Sequence, residues 1–455
     1  MSQSQLDNQR KIVFVTPRSA GESLRGARAV GQLDGVVLLG IAEQLPEPSA
    51  MDVFCDLAVV VDTHDSRQLI GAARKFASQW GTIERIVTVH ERLLAPVARA
   101  SEALGLPGMI ESTVLRALDK SNLKRVLHRD GIETARDRVV TTKPDVRRFV
   151  DQVGFPLVLK PLTGSGGLGT WRIGTYEQLE LALDLVKPSP ENAVLLEEYL
   201  KGQELCIDTV TIADEPRFYS LCTYRPTILE ALEDPRVQWR CVMPRDIRAE
   251  RYRNFIEQGL AAVRALAVGN AMTHLEGFLL EDGRVRFTDA TLRPAGARIG
   301  PMLAFAYDID PYRVWARAAV DGCFDGPWER KYAVGTVFLR GAGQGQVQRV
   351  EGLEEVRRRV GDGLVDSRLP RIGGSKSDTY TGDGYITVRH AETEIVEANL
   401  DLIADSVQIT YNHHEAQSVE PEIVPQRWLQ RQRDFNRQHC QPTWDDDSLP
   451  RVGET

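Results

Sequence analysis

Short runs of apolar, mostly β-branched residues alternate with amphipathic stretches along the first part of the chain. Residues 11–16 (KIVFVT) and 36–41 predict two strands, and residues 22–33 between them predict a helix. Further strands are predicted at residues 57–62 and 85–89, each followed by a helical stretch. This order predicts a small doubly wound α/β domain over about the first 115 residues.

The turn after the first predicted strand lacks the glycine pattern of a dinucleotide site. Residues 17–21 read PRSAG instead of G-x-G-x-x-G, so the glycines that allow close approach of a pyrophosphate are missing. We therefore interpret this domain as a scaffold that contributes one wall to a substrate site.

The alternation of predicted strands and helices that marks the first domain ends at Asp119, where a new segment begins. The sequence DKSN opens an amphipathic helix that runs to Arg129 and stops before Asp130 and Gly131. A strand-rich segment follows, to about residue 199. Residues 259–319 then predict a helix, a hairpin and a further helix, with the hairpin strands at residues 274–280 and 284–290.

The region after about residue 330 predicts a separate C-terminal module. Its strands are expected at residues 333–340 and 384–389, and its helices at residues 353–360 and 393–403. The final stretch of about 35 residues is rich in Gln, Arg and Asp, which is typical of a loosely held tail.

Composition excludes several classes of partner. The formal net charge is -8, so there is no overall positive field to hold a nucleic-acid backbone. No apolar run is long enough to span a bilayer, and the polar N-terminus does not resemble a signal peptide. The six cysteines are scattered singly, which favours reduced thiols. We therefore expect a soluble cytoplasmic protein without nucleic-acid or membrane partners, and a homodimer is left open.

A glycine-rich loop after an apolar strand is the most informative motif. Residues 154–161 (GFPLVLKP) deliver Lys160 to the strand end, and residues 163–170 (TGSGGLGT) hold four glycines and three hydroxyls. Backbone N–H groups of such a loop can close around phosphate oxygens, although the motif alone is also compatible with a flexible turn. The candidate phosphate-binding residues in the loop are Thr163, Gly164, Ser165, Gly166 and Gly167.

Two acidic positions follow in the next predicted strand. Residues 195–200 (LLEEYL) end in Glu197 and Glu198, and the sequence KGQE then leads to Glu204. A carboxylate and backbone groups near Leu200 could accept hydrogen bonds from an adenine amino group, and Glu204 could bind ribose hydroxyls. Paired glutamates are also common on a solvated face.

The predicted hairpin carries a third group of polar residues. Glu276 lies on the first strand, whereas Asp289, Thr291 and Arg293 alternate along the second strand and its exit. Period-2 spacing places the latter three on one side, so Asp289 and a facing Glu276 could hold Mg²⁺ through hard oxygen ligands. A cross-strand ladder of ion pairs is the alternative. His274 lies on the same strand face as Glu276, where a buried structural histidine is favoured over a catalytic base.

These three motifs, in this order, resemble the ATP-grasp superfamily, and more closely its carboxylate–amine ligase branch, which includes bacterial L-amino acid ligases. The resemblance implies a multidomain α/β and α+β chain with the ATP-grasp fold. It implies a Rossmann-like pre-ATP-grasp domain at residues 1–118 and a two-lobed ATP-binding region, with lobes at residues 119–200 and 201–330. A C-terminal α+β lobe with the tail would occupy residues 331–455.

The resemblance also implies roles for individual residues. Lys120 and Lys160 would contact ATP phosphates, and Glu197 or Glu198 would be the hinge acid. The usual E-x-N-x-R metal motif is replaced by Asp289-Ala290-Thr291-Leu292-Arg293, so one Mg²⁺ ligand is expected to be weaker or water-mediated. Arg293 and the N–H groups near Gly296 and Ala297 would stabilise a tetrahedral oxyanion.

The reaction implied by the resemblance joins a small-molecule carboxylate to an amine. ATP would phosphorylate the carboxylate to an acyl phosphate, and the amine of a second substrate, with an amino acid expected among the two, would then displace phosphate. An ATP-grasp carboxylase or purine-pathway ligase is the first alternative, and a nucleotide-binding protein with decayed catalysis is the second. The sequence does not identify the substrates, although Arg225, Arg240 and Arg298 are candidates for holding a second carboxylate.

Overall fold

The computed structural model describes residues 9–413 except residues 19, 20, 47, 165, 168 and 378. Side chains of residues 48, 49, 144, 145 and 413 are also outside the description. The predicted C-terminal tail and Ser165 of the glycine loop therefore lie outside the described residues. By contacts, residues 9–134 together with 200–413 form one compact unit, and residues 135–199 form a second.

The first unit begins with a four-stranded parallel sheet of order β3-β2-β1-β4. Five helices follow its strands, and apolar residues of β1 and β2 are buried because helices cover the sheet. The strands are β1 (Arg10–Val15), β2 (Val36–Ala42), β3 (Asp56–Val59) and β4 (Ile83–Val87). The helices are α1 (Gly21–Gly31), α2 (Ser66–Trp80), α3 (Leu94–Ala103), α4 (Glu111–Leu118) and α5 (Lys120–Arg129).

The predicted α/β order is confirmed, but the bounds of two strands were wrong. Strand β3 ends at Val59, three residues before the predicted end, and Val61 is 90% exposed. Asp65 then caps α2 by accepting a hydrogen bond from the Arg67 backbone N–H. Strand β4 begins and ends two residues earlier than predicted. Val61 is apolar although it lies in an exposed turn, so its residue type alone could not be distinguished from that of a strand residue.

The second unit contains a four-stranded antiparallel sheet of order β5-β8-β6-β7 with two helices. Its strands are β5 (Asp137–Val140), β6 (Leu157–Pro161), β7 (Trp171–Ile173) and β8 (Val194–Glu198), and its helices are α6 (Pro144–Val153) and α7 (Tyr176–Val186). The glycine loop joins β6 to β7. Gly164, Gly166, Gly167 and Gly169 all have positive φ, a conformation that residues with a Cβ rarely adopt.

The first unit also contains an eight-stranded sheet, in the order β13-β12-β9-β10-β11-β14-β17-β16. Each neighbouring pair in it is antiparallel. Its members in chain order are β9 (Gly202–Ile212), β10 (Glu215–Arg225), β11 (Trp239–Met243), β12 (Ala271–Leu280), β13 (Val285–Thr291), β14 (Ala333–Leu339), β16 (Leu364–Arg368) and β17 (Gly384–His390). The predicted hairpin corresponds to β12 and β13, and the sheet continues through β14 beyond residue 330.

The remaining elements pack on this sheet or beside it. The helices are α8 (Ile228–Glu233), α9 (Glu250–Leu266), α10 (Ile299–Tyr307), α11 (Pro311–Ala316), α12 (Leu353–Val360) and α13 (Thr393–Ser406). Strands β15 (Gln344–Glu351) and β18 (Gln408–His413) form a separate antiparallel pair. Within the described residues, none of the helices has both the length and the apolar character needed to cross a bilayer.

Candidate active site

One face of the eight-stranded sheet collects polar side chains from three adjacent strands. In the register, Cys206 and Asp208 of β9 lie opposite Glu276 and His274 of β12. Glu276 and His274 in turn lie opposite Asp289 and Thr291 of β13. Because side chains alternate between the faces of a strand, this register brings all six to one face.

His274 lies between two carboxylates on this face. Its Nδ1 is 2.9 Å from Asp208 Oδ1, and its Nε2 is 3.1 Å from Glu276 Oε1. Burial lowers the pKa of His274, but the neighbouring Cys206 and Asp208 raise it, and the net pKa is well above 6.5. Burial also raises the pKa of the Cys206 thiol, which is therefore uncharged at neutral pH. The contacts of the two ring nitrogens with the side chains of Asp208 and Glu276 therefore favour the protonated form of His274.

Glu276 is held by two donors at a single oxygen. The Tyr224 hydroxyl donates to Glu276 Oε1 at 3.2 Å, and the His274 contact ends on the same atom. Burial raises the pKa of Glu276, yet the hydrogen bond and charge of His274 outweigh it and hold this pKa below its ordinary value. Glu276 is therefore ionised, and His274, with hydrogen bonds at both ring nitrogens, positions it. A buried, hydrogen-bonded histidine was predicted at this position.

Lys120 reaches the same face from α5. Its Nζ is 3.0 Å from Asp289 Oδ2, and 6% of its side chain is exposed. Asp119 caps the helix by accepting hydrogen bonds from the backbone N–H groups of Ser121 and Asn122, which explains the Asp-Lys order at this helix start. Lys124, one turn further along α5, is also fully buried, and sequence reasoning did not single it out.

The oxygen ligands on this face fit a magnesium ion. Glu276 and Asp289 supply carboxylates from paired strands, and Thr291 supplies a hydroxyl. The Thr291 Oγ1 atom is buried, and among the described residues it has no hydrogen-bond partner. A buried polar atom without a partner is costly, and a hard cation or its water would satisfy it. The donor set is therefore suitable for Mg²⁺.

Arg293 lies just beyond β13 and contacts the first α/β domain. It donates from Nη2 to Glu91 Oε2 at 2.7 Å and from Nη1 to the Pro294 carbonyl at 2.7 Å. A Cβ built on Gly296 would lie 4.0 Å from Arg293 Nη1. Ala297 and Arg298 both have positive φ, of 48° and 65°. Such strained backbone is concentrated at functional loops.

The three arginines considered for a second carboxylate already have acidic partners. Arg225 donates to Asp401 of α13 at 2.5 Å, and Arg240 contacts the same carboxylate. Arg298 pairs with Asp366 and lies 4.1 Å from the centre of the Tyr385 ring. Arg225 and Arg240 therefore bind the chain's own carboxylate, and this proximity in the fold was not readable from the sequence.

The second unit has its own buried ion pair. Lys160 Nζ is 2.8 Å from Glu197 Oε2, and 8% and 4% of these side chains are exposed. Glu198 accepts hydrogen bonds from the backbone N–H and the Nε of Arg136 instead. Of the two candidate hinge acids, the structure thus places Glu197 beside Lys160 and Glu198 away from it.

Two further residues of the predicted nucleotide site, Leu200 and Glu204, are buried. Leu200 is buried, with 8% exposed. Glu204 is 7% exposed, and its Oε2 accepts a hydrogen bond of 2.7 Å from the Ile228 backbone N–H at the start of α8. The structure therefore shows a carboxylate that fixes a helix start, whereas ribose binding stays a prediction.

Sequence reasoning missed Asp208, Tyr224 and Glu91. Asp208 is 2% exposed in the middle of β9, and a carboxylate inside a largely buried strand is a signal that could have been used. Glu91 follows the carboxyl end of β4, where ligand-binding residues concentrate in α/β sheets. Tyr224 had no comparable signal.

Strands β9, β10 and β11 each carry one buried cysteine, and these cysteines allow a test of how the strands pack. Burial raises the pKa values of Cys206, Cys222 and Cys241, whereas Cys55 and Cys323 are exposed. We expect a thiol reagent such as DTNB to label Cys55 and Cys323 in the native protein and the three buried thiols only in urea. Peptide mass mapping checks this expectation, and fast native labelling of Cys222 would contradict the packing of β9 against β10.

A family model for the RimK-like ATP-grasp domain matches residues 117–215. This segment contains Lys120, the glycine loop and Glu204. Residues 117–215 are thus similar to an ATP-grasp domain. The fold agrees, because the structure of an L-amino acid ligase from Bacillus licheniformis superposes with a TM-score of 0.73 at 19% identity, covering 89% of this chain and 99% of that one.

Curated relatives and a further solved structure are also similar to this chain. Alanine–anticapsin ligase of Bacillus subtilis is 24% identical over 245 residues, which are 50% of this chain and 52% of that protein. The chain thus spans about half the length of the curated relatives it matches. The N5-carboxyaminoimidazole ribonucleotide synthetase of Thermotoga maritima has a TM-score of 0.64 at 18% identity, covering 89% of this chain and 100% of that one. At these identities the solved structures show the ATP-grasp fold alone.

Proposed function

We propose that this protein is an ATP-dependent carboxylate–amine ligase that forms an amide bond through an acyl phosphate, with an amino acid among its substrates. The observation that carries the proposal is the single sheet face on which Glu276, Asp289 and Thr291 lie together beside Lys120. Hard oxygen ligands next to an ammonium group suit a metal-bound triphosphate.

Each group has a role in this proposal. In the first unit, Lys120 binds phosphate oxygens. In the second unit, Lys160 and the glycine loop bind phosphate oxygens, and Glu197 contacts Lys160. Glu276, Asp289 and Thr291 hold Mg²⁺, which when bound neutralises charge on the phosphates. Asp208 and His274 keep Glu276 ionised and oriented.

The proposed reaction has two steps, and neither step requires a nucleophile from the protein. A carboxylate oxygen of the first substrate attacks the γ-phosphorus, the bond to ADP breaks, and an acyl phosphate forms. The amine of the second substrate attacks the acyl carbon, loses a proton, and expels phosphate. Arg293 and the N–H groups near Gly296 and Ala297 stabilise the oxyanion of that step, and one such donor contributes about 3 kcal/mol to lowering the barrier.

The relatives support this class of reaction. Alanine–anticapsin ligase and the L-arginine-specific L-amino acid ligase of Bacillus subtilis, 22% identical over 50% of this chain, are by name ligases of amino acids. A ligase that acts on bicarbonate is the second candidate, because a similar fold occurs in the biotin carboxylase domain of a 2-oxoglutarate carboxylase whose structure contains ADP and bicarbonate.

An assay of ADP release over pairs of amino acids, with mass spectrometry of the products, tests the proposal. We expect ADP and phosphate to form in equal amounts only with a productive pair, together with a product of the summed mass less water. Bicarbonate is the parallel arm, and ADP formed with bicarbonate alone would favour the second candidate. Binding of ATP without ADP formation in every arm would contradict both.

A further inference from the structure

A cavity of about 410 Å³ lies beside β4, away from the residues assigned to the ligase site. Strand β4 is an edge strand of the parallel sheet. The cavity walls come from β4, α3, the loop before α4, the loop before β12, and α11 with the turn after it. All these elements belong to the first unit.

The lining of this cavity is mostly apolar. Its main apolar side chains are Ile86, Leu94, Val97, Met109, Val268 and Trp315. A volume of this size is within the range of small-molecule sites, and apolar walls with a few polar groups are typical of them. Burial of a hydrocarbon group here would contribute about 25 cal/mol for each Å² removed from water.

One cation, Arg85 of β4, also borders the cavity. Its Nε atom is buried and has no hydrogen-bond partner among the described residues. Two acids near Arg85, Glu84 and Asp321, pair with Arg10 at 2.8 Å and 2.6 Å, and their charges also favour the protonated form of Arg85. Arg85 thus offers a guanidinium without an ion pair of its own in the described part of the chain.

We propose that this cavity is a second ligand site, which binds a small molecule with one carboxylate and an apolar body, such as an arylalkanoate. The carboxylate pairs with Arg85, because guanidinium and carboxylate match in charge and geometry. The apolar body packs against apolar lining residues such as Trp315 and Val97. A purely apolar ligand would leave Arg85 Nε unsatisfied, and an inorganic anion would not use the apolar wall.

Gly108 allows a mild change that fills the cavity. It lines the cavity, is exposed, and its φ is not in the left-handed region. A Cβ there would approach only Ser101, at 3.9 Å, so a leucine fits without backbone strain. Gly71 of α2 is a matched control, because it does not line the cavity and its added Cβ would meet nothing within 4 Å.

The test uses 4-phenylbutanoate and its neutral amide, titrated calorimetrically into the full-length protein. We expect the acid to bind with a dissociation constant of about 0.1–1 mM and the amide about tenfold more weakly, since a charge-assisted pair is lost. Arg85→Gln should remove the difference between acid and amide. Gly108→Leu should abolish binding of both, whereas Gly71→Leu should bind like the wild type.

Three results would overturn the proposal. They are absence of acid binding to the wild type, equal binding to the Gly108→Leu variant, and an acid preference that survives Arg85→Gln. Equal binding to the Gly108→Leu variant would place the probe elsewhere, for example in the ligase site. Since no ATP turnover is measured, the result is independent of the proposed ligase function.

Discussion

Replacement of Glu276 by glutamine is expected to lower the rate of ADP formation by a factor of about 10²–10³, as is typical when a group that stabilises transition-state charge is removed. Glutamine retains the size of the side chain and an oxygen that can accept from Tyr224. It removes the negative charge that the structure holds ionised between His274 and the position proposed for Mg²⁺. Turnover with a productive substrate pair, measured across a series of Mg²⁺ concentrations, checks the result.

A matched control lies on the same hairpin. Glu281 is in the turn between β12 and β13 and is exposed, so Glu281→Gln should leave both turnover and Mg²⁺ dependence unchanged. The metal interpretation predicts that the Glu276→Gln variant needs more Mg²⁺ for half-maximal activity. Normal turnover with an unchanged Mg²⁺ requirement would show that this carboxylate is structural, as in a cross-strand ladder of ion pairs.

Replacement of Lys160 by methionine should destabilise the protein and abolish turnover. It leaves the buried carboxylate of Glu197 without its ammonium partner, which typically costs about 3–5 kcal/mol of unfolding free energy. The double change Lys160→Met with Glu197→Leu removes both charges and should recover most of that stability. If Lys160 binds phosphate, the double variant will still fail to form ADP.

Urea denaturation and ADP release together separate the two roles of Lys160. Lys143 is the matched control, because it pairs with Asp184 in the same unit but is 47% exposed. Lys143→Met should change the free energy of unfolding by no more than about 1 kcal/mol, since exposed ion pairs contribute little. Recovery of both stability and turnover in the double variant would mean that Lys160 only neutralises Glu197.

Much of the site was predictable because its motifs are local. The strand before Lys160, the glycine loop and the hairpin with Glu276 and Asp289 each follow from the order of apolar, glycine and polar residues. The Asp-Lys helix start was also predicted, and Asp119 is the cap. Which of Glu197 and Glu198 approaches Lys160 was not predictable, because the pairing of β6 with β8 decides it.

The sequence by itself determined the ATP-grasp resemblance, the parallel-sheet domain order and the choice of residues proposed to bind phosphate and metal, since these depend on short-range periodicity and chemical type. Tertiary structure alone decided that Asp208 supports His274, that Glu91 holds Arg293, and that Arg225 and Arg240 share Asp401. These contacts join residues from 66 to 202 positions apart. Strand register and domain packing set such contacts, and no local pattern encodes them.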